Sequence, residues 1–412
     1  MTWHIVNWIA GSILALAWFS RIVEAAFGMP RIADIALPEW DRRPGTPDGE
    51  PRVTIIVPAR NGEEHIRETL TRLLTLDYSN YEIIAVNDRS TDRTGQIMDE
   101  VPCSADTLVR VSAAPALHTG ADKSVRATRL KVIHISELPP GWLGKTHAMW
   151  TAAQQATGDW LLFTDADVLF KPDSLRRAVA YAETEKADHV VLFPRMIMKR
   201  PGERMMIAFF QALFVFGHRP WKVADPDARD HMGVGAFNMV RRPVYDAVGT
   251  YRALRMEVLD DMKLGKVVKN AGFAQRNVFG EDLISIHWAK GAFGVVKNLT
   301  KNFFAVLSFQ WWRTLVSVAG LGFLNLGPFL GVWLAHGWAR APFGVALVSI
   351  FIIYCGMSAR SAVPPYYFFL HPISTSLFMY TLLRSMFVTI RDDGIVWRGT
   401  KYPLEELRNG MV

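Results

Sequence analysis

The chain has 412 residues, half of them hydrophobic, with a mean hydropathy of +0.11, a formal charge of +7 and a pI near 9.4. A basic balance suits nucleic acid, anionic lipid or phosphate, but no helix-turn-helix, zinc-finger or RNA-binding signature is present, so no nucleic-acid partner is expected. Two cysteines, Cys103 and Cys355, are too few for a disulfide framework or a thiolate zinc site and read as free thiols.

Trp3 to Phe19 contains no acidic or basic residue, and the apolar stretch continues to about Phe27. No charged n-region precedes it, so it reads as an anchor helix and not a cleaved signal. Arg21, Arg31, Arg42 and Arg43 follow, which favours a cytoplasmic location for the next domain. Leu37–Arg52, rich in Pro, Gly and charge, is a linker. Val53–Val57 is a β-branched run ending at Pro58. Ile66, Leu70, Leu73 and Leu74 then share a helix face. Tyr81–Val86 is a second strand, and Asp92–Asp99 a helix with Asp92 or Thr91 as its cap. Residues 111–127 read as a polar loop. Leu130–Ile135, Trp160–Thr164 and His189–Phe193 are strands, separated by helices over Lys145–Ala156 and Asp173–Thr184. Such alternation predicts an α/β fold around a mostly parallel sheet, with ligands at the carboxyl ends of the strands.

Met205–Gly217 is apolar and aromatic but too short to span a bilayer. With Arg195, Lys199, Arg200 and Arg204 before it, it predicts an interfacial helix. Three further apolar stretches follow, at about Leu315–His336, Phe343–Met357 and Tyr366–Ile390. The first and last are long enough to span, and the middle one is short. Three spans would leave the tail outside, yet its Arg391, Arg398, Lys401 and Arg408 favour the cytoplasm. Either one segment is re-entrant or the charge rule fails here.

The acidic motifs fall just after predicted strands. Asp88 follows Ile83–Val86 and can accept hydrogen bonds from a base or ribose. Asp165-Ala166-Asp167 follows Leu161–Thr164, and two carboxylates one residue apart point the same way on extended backbone. Together they offer hard oxygens to a divalent cation that can bridge to phosphates. Lys145, at a helix start in Gly144-Lys145-Thr146, suits a phosphate, although the P-loop spacing is absent. On a helix, Asp260 shares the face of Leu264, Val267 and Ala271, whereas Asp261 faces Gly265, where a ligand could approach. Asp261 is therefore the better candidate for chemistry. Gln310 and Arg313 share a face just before the first C-terminal span, and Trp311 and Trp312 suit a membrane interface.

Taken in order, these motifs resemble the family 2 glycosyltransferases of the GT-A fold. The resemblance runs from about Val53 to Arg313 and rests on Val-Pro-Ala-Arg-Asn-Gly-Glu-Glu (57–64), Asp88, Lys145, Phe-Thr-Asp-Ala-Asp (163–167), Asp260-Asp261 and Gln310-x-x-Arg313. Gly141-Trp142-Leu143-Gly144-Lys145 is similar to the membrane subgroup with hopanoid-associated and carotenoid glycosyltransferases; ceramide glucosyltransferase is a more distant relative. Two positions depart from the family pattern. Thr314 stands where a Trp follows the Arg, and Asp260-Asp261 stands for Glu-Asp. The missing Trp argues against processive polymer synthesis.

The resemblance implies an anchor over 1–28, a linker over 29–52 and a GT-A domain over 53–285. Interfacial helices over 286–314, transmembrane helices over 315–390 and a tail over 391–412 complete the division. It further implies that Asp88 contacts the nucleotide base, in a pocket shaped by Pro58, Ala59, Arg60 and Glu63. Lys145 joins these on the donor side. Asp165 and Asp167 would hold the diphosphate through Mn2+ or Mg2+. Asp261 would be the base, and Gln310 and Arg313 would close over donor and acceptor. The expected reaction is inverting transfer from a nucleotide sugar, UDP-linked, to a hopanoid, carotenoid, sphingoid or glycerolipid-like acceptor. The expected location is the inner membrane, multi-pass, with the catalytic domain cytoplasmic, and the Met205–Gly217 helix would help deliver the lipid. The alternatives are a polyprenyl-phosphate glycosyltransferase, a processive polysaccharide synthase and a catalytically silent membrane scaffold.

Overall fold

In the computed structural model, which describes residues 2–44, 49–101, 129–280, 282–361 and 363–411, the β-branched run after the linker becomes β1 (Val53–Ala59). It is the third strand of a seven-stranded sheet, beside the central one. The other strands of this sheet are β2 (Tyr81–Asp88), β3 (Leu130–Ile135), β4 (Trp160–Phe163), β6 (His189–Leu192), β8 (Asn238–Arg241) and β9 (Gln275–Val278). Their order is β3-β2-β1-β4-β8-β6-β9. All pairs are parallel except those of β8, which runs antiparallel to β4 and β6. A small second sheet joins β5 (Val168–Phe170), β10 (Ile284–Ile286) and β7 (Arg195–Met196). The chain is thus an α/β protein with a mostly parallel sheet. β1 continues through Pro58 because its pairing with β4 ends at Ile56, so the missing N–H costs no ladder bond on that side.

The chain divides into two compact units. The sheet unit contains Ala33–Arg195 and Val223–Ile286. Under the sheet, Ile56, Ile84, Val86, Leu161, Phe163 and Val240 are buried against Ala148, Met149 and Ala152 of the helix Gly144–Gln155 and Leu264 and Val268 of the helix Asp260–Asn270. Strands β8 and β9 escaped the sequence reading for a physical reason. They are four residues long, and their Asn238, Gln275 and Asn277 are buried polar groups that hide the apolar signal. The polar stretch 111–127 and Cys103 lie outside the described residues, while Cys355 is a free, exposed thiol.

The helical unit contains Met1–Ile32, Met196–Lys222 and His287–Arg408. Among its described residues, four segments are long and apolar enough to cross a membrane: Trp3–Arg31, Trp311–Leu334, Gly337–Ser358 and Pro365–Arg391. The helix His371–Arg391 runs antiparallel to Trp311–Leu334. Met379 packs by Gly322, His371 Nε2 meets Asn325 Oδ1 at 3.1 Å, and Ser385 Oγ accepts the Phe304 N–H at 2.9 Å. The chain therefore returns to the end of the unit from which Trp311–Leu334 departs. There Arg408 Nη2 donates to the Phe309 carbonyl at 3.0 Å, and Lys301 lies 3.8 Å from the Trp397 ring centroid. Tyr354 closes a fully buried polar triad with His371 and Asn325, its hydroxyl 3.1 Å from His371 Nδ1. Such a triad, spread over three apolar helices, fixes their register.

The expected interfacial helix forms over Pro201–Gly217 but is a core element of this unit. Met206, Ile207, Ala208, Phe209 and Ala212 are almost fully buried, and Phe210 packs on Trp288 and Phe378. Apolar residues occupy too much of its circumference for a helix lying on a surface. Glu203 in its first turn accepts the N–H groups of Lys199, at 2.6 Å, and of Gly291, at 2.7 Å, tying it to the start of the helix Gly291–Val306.

Candidate active site

Because β1, β2, β3 and β4 are parallel, their carboxyl ends share one edge of the sheet. Asp88 is the last residue of β2, and Asp165 follows β4 by two positions. The antiparallel β8 begins at that edge with Asn238, paired to Phe163, and brings in the preceding segment Gly233-Val234-Gly235.

Lys145, Asp165, Asp260 and Asp261 converge here around a cavity of about 10 Å³, also lined by Gly235, Asn238 and Tyr251. That is room for roughly one water molecule. The Lys145 ammonium lies 2.9 Å from Asp165 Oδ1 and 3.2 Å from Asp260 Oδ2. Burial alone would lower its pKa, but the attraction of Asp165, Asp260 and Asp261 prevails and holds it charged. Asp260 is only 4% exposed. Burial pushes its carboxyl up, Lys145 pulls it down, and the like charges of Asp261 and Asp165 raise it again.

Asp261 is half-buried. Its Oδ1 accepts the Met262 N–H at 2.8 Å, and the Gly235 N–H also bonds to its carboxylate. Burial raises its pKa, and the attraction of Lys145 and these N–H bonds offset that rise only in part. The Gly235 carbonyl meanwhile accepts the Asp165 N–H at 2.9 Å, so one glycine ties both aspartates together. One sequence expectation needs correction here. Gly265 offers no space to a ligand, because a Cβ there would collide with the Met232 carbonyl. Helix and loop backbones are in contact at that point, and it is the first-turn position of Asp261 that leaves it accessible.

Asp165 and Asp167 are both partly exposed. A Cβ at Gly235 would lie 2.5 Å from Asp165 Oδ2, so glycine keeps a space open beside that oxygen. Hard carboxylate oxygens and open space fit Mn2+ or Mg2+, with phosphate and water oxygens as further ligands. Among the described residues no three His, Cys, Asp or Glu side chains form a ready-made metal cage.

Asp88 lies deeper, 4% exposed. Arg89 grips it with Nε and Nη2, at 2.7 and 3.0 Å, and Arg60 Nη1 is 3.9 Å from its Oδ2. Arg60 Nε and Nη1 are buried without a hydrogen bond to any described residue. Gly144, at the start of the Lys145 helix, abuts Asp88 so closely that a Cβ would collide with Oδ2. Ala59 is buried and Pro58 half-buried at the end of β1. Glu63 is exposed, and its carboxylate accepts the Arg93 N–H at 3.1 Å, lacing the loop after β1 to the loop after β2.

Gln310 and Arg313 belong to the helical unit. Gln310 stands at the N-cap of Trp311–Leu334, and Arg313 Nη1 donates to Ser308 Oγ at 3.1 Å. Thr314 is fully buried in the first turn, bonded to the Gln310 carbonyl. The sequence reading passed over Gly235, Asn238 and Tyr251. Only the Gly-Val-Gly spacing before a short apolar run marks that segment.

Comparison with known proteins bears on the family and the fold. A protein named 4,4'-diaponeurosporenoate glycosyltransferase, from Staphylococcus haemolyticus, is 21% identical over 61% of this chain and 60% of its own length. Beta-monoglucosyldiacylglycerol synthase from Synechocystis is 30% identical over 32% of this chain and 23% of its own length. The matched stretches thus span under two-thirds of either relative. Among solved structures, a mannosyltransferase from Pyrobaculum calidifontis, in complex with GDP-Man and Mn2+, shares the fold with a TM-score of 0.51 and 19% identity, covering 94% of this chain and 99% of that one. The profile described as "Glycosyltransferase like family 2" matches residues 51–278, more than half of the chain, and the protein is therefore a family 2 glycosyltransferase with a GT-A fold.

Proposed function

We propose that this glycosyltransferase moves a sugar, with inversion, from a nucleotide sugar (UDP-linked) to the hydroxyl of a membrane lipid of the hopanoid, carotenoid, sphingoid or glycerolipid kind. One observation carries the reading. Lys145, Asp165, Asp260 and Asp261 meet at the carboxyl edge of the sheet, in a chain that also carries four helices of membrane length. The names of two relatives, 4,4'-diaponeurosporenoate glycosyltransferase and beta-monoglucosyldiacylglycerol synthase, support a lipid acceptor. The arginines after the first apolar helix support a cytoplasmic catalytic unit at the inner membrane.

In this reading Asp88 and Arg60 take the base and ribose, with Pro58, Ala59 and Glu63 shaping that end. Lys145 holds diphosphate oxygens. Mn2+ or Mg2+ on Asp165 and Asp167 would neutralise the departing diphosphate. Asp261 takes the proton of the acceptor hydroxyl as its oxygen bonds to the anomeric carbon and the bond to diphosphate breaks. Arg313 and Gln310 act on donor and acceptor, a role drawn from their sequence motif. Mass spectrometry of lipids from cells with and without the gene tests the proposal. A glycolipid that vanishes with the gene and returns with it is expected. An unchanged lipid profile together with loss of a polysaccharide would overturn it, and a missing polyprenyl-phosphate sugar would move the acceptor to that class.

A further inference from the structure

Behind Asp261 runs a chain of buried polar side chains that the chemistry above does not use. It begins at β9. Gln275 Oε1 accepts the Met232 N–H at 2.8 Å, and Gln275 Nε2 lies 3.1 Å from the Met232 carbonyl and 3.2 Å from the Gly265 carbonyl. The same Nε2 lies 2.6 Å from His189 Nδ1 on β6. Across the ring, His189 Nε2 meets Asn238 Oδ1 on β8. Asn238 Nδ2 then donates to the backbone carbonyl of Asp261 at 3.3 Å. His189, Asn238 and Gln275 are each no more than 1% exposed.

The bonds have one consistent direction, and each fixes the next. Gln275 uses its oxygen on Met232, so its amide N–H groups face His189. His189 Nδ1 is then an acceptor and Nε2 carries the proton. That proton claims Asn238 Oδ1, which turns the Asn238 amide N–H groups towards Asp261. Burial pushes the imidazole down to about 4, against the bond to Asn238, so the ring is neutral and holds one tautomer. The network grips both sides of Asp261. Through Asn238 and Gln275 it holds the Asp260–Asn270 helix at the carbonyls of Asp261 and Gly265. Through Gln275 it holds Met232, at the head of the segment whose Gly235 N–H reaches the Asp261 carboxylate.

We infer that His189, with Asn238 and Gln275, is a positioning residue for the reaction: it fixes the Asp261 carboxylate at its point of proton transfer without touching substrate. This rests on the reading of Asp261 as base. A carboxylate that must reach one acceptor proton gains from such support, because catalysis by a positioned base depends steeply on its geometry.

The test uses full-length protein in native membranes, with labelled UDP-glucose, UDP-galactose, UDP-N-acetylglucosamine and GDP-mannose, the best donor being carried forward. His189→Leu is expected to lower kcat roughly tenfold or more, leaving donor KM and UDP binding within about twofold. His189→Gln, which restores one of the two bonds, should recover part of the loss. In an Asp261→Asn background, His189→Leu should cost less than about twofold, because the group it positions is gone. An equal loss in both backgrounds would reduce His189 to a general structural role, and wild-type kcat in a folded His189→Leu would overturn the inference outright. Should His189→Leu fail to bind UDP, Asn238→Ala carries the same comparison. Full activity of Asp261→Asn itself would remove the base reading, and the positioning role with it.

Discussion

The Lys145 ammonium stands 2.9 Å from Asp165, and it reaches Asp260 on its other side at 3.2 Å. One cation thus holds together carboxylates delivered by β4 and by the helix Asp260–Asn270. Asp260 is buried, and leaving a buried charge without its partner typically costs up to about 3–5 kcal/mol, whereas the partly exposed Asp165 loses far less. Lys145→Met should therefore lower the thermal unfolding temperature clearly, and Asp260→Asn in the same background should restore much of it. Equal unfolding temperatures for Lys145→Met and wild type would show that the ion pair contributes nothing.

Asp165 and Asp167 cannot sit beside a diphosphate without repulsion unless a cation lies between them. Chelation should abolish turnover, and Mn2+ or Mg2+ should restore it. Full activity of Asp167→Ala in chelator would contradict the metal assignment.

The path of the C-terminal helices gives a prediction about membrane sidedness. Trp397 lies at Lys301 and Arg408 at Phe309, so the tail shares the end of the helical unit that precedes Trp311–Leu334. The sequence posed a conflict between three spans and a basic tail. If the antiparallel return of His371–Arg391 holds in the bilayer, the basic tail lies on the side from which Trp311–Leu334 departs, which requires that Ala341–Ser358 not complete a crossing. Cysteines placed at Lys297 and Arg398 should react alike with an impermeant thiol reagent, and oppositely to one at His336. Like reactivity of His336 and Arg398 would contradict this path.

Much of the sheet was legible because β1 to β4 and β6 are apolar runs bounded by turn residues. The carboxylates were legible because acidic residues at strand ends stand out against those runs. β8 and β9 were not, since Asn238 and Gln275 are interior only through bonds to His189, Met232 and Gly265, which no periodicity records. The helix Pro201–Gly217 misled in the opposite sense. An apolar stretch too short to span reads as surface-lying until its neighbours, here Trp288 and Phe378, are known.

The raised pKa of Asp261 has a kinetic consequence. A base works only when deprotonated, so activity should be complete above its folded-state pKa and fall as pH drops through it. Burial places that fall at a higher pH than the value of about 3.9 for an ordinary aspartate. A kcat/KM profile should therefore decline on its acidic limb well before the donor complex weakens. A limb that stays flat down to the ordinary carboxylate range would contradict the base.

The transfer rate of Asp261→Asn, set beside that of Asp260→Asn, bears most directly on the mechanism. The amide keeps the shape of the side chain and removes its basicity. Turnover of Asp261→Asn should fall by roughly 10²–10⁴-fold, the usual contribution of a positioned base, while nucleotide-sugar binding survives. Normal turnover in Asp261→Asn with a dead Asp260→Asn would hand the role to Asp260. Normal turnover in both would contradict the mechanism.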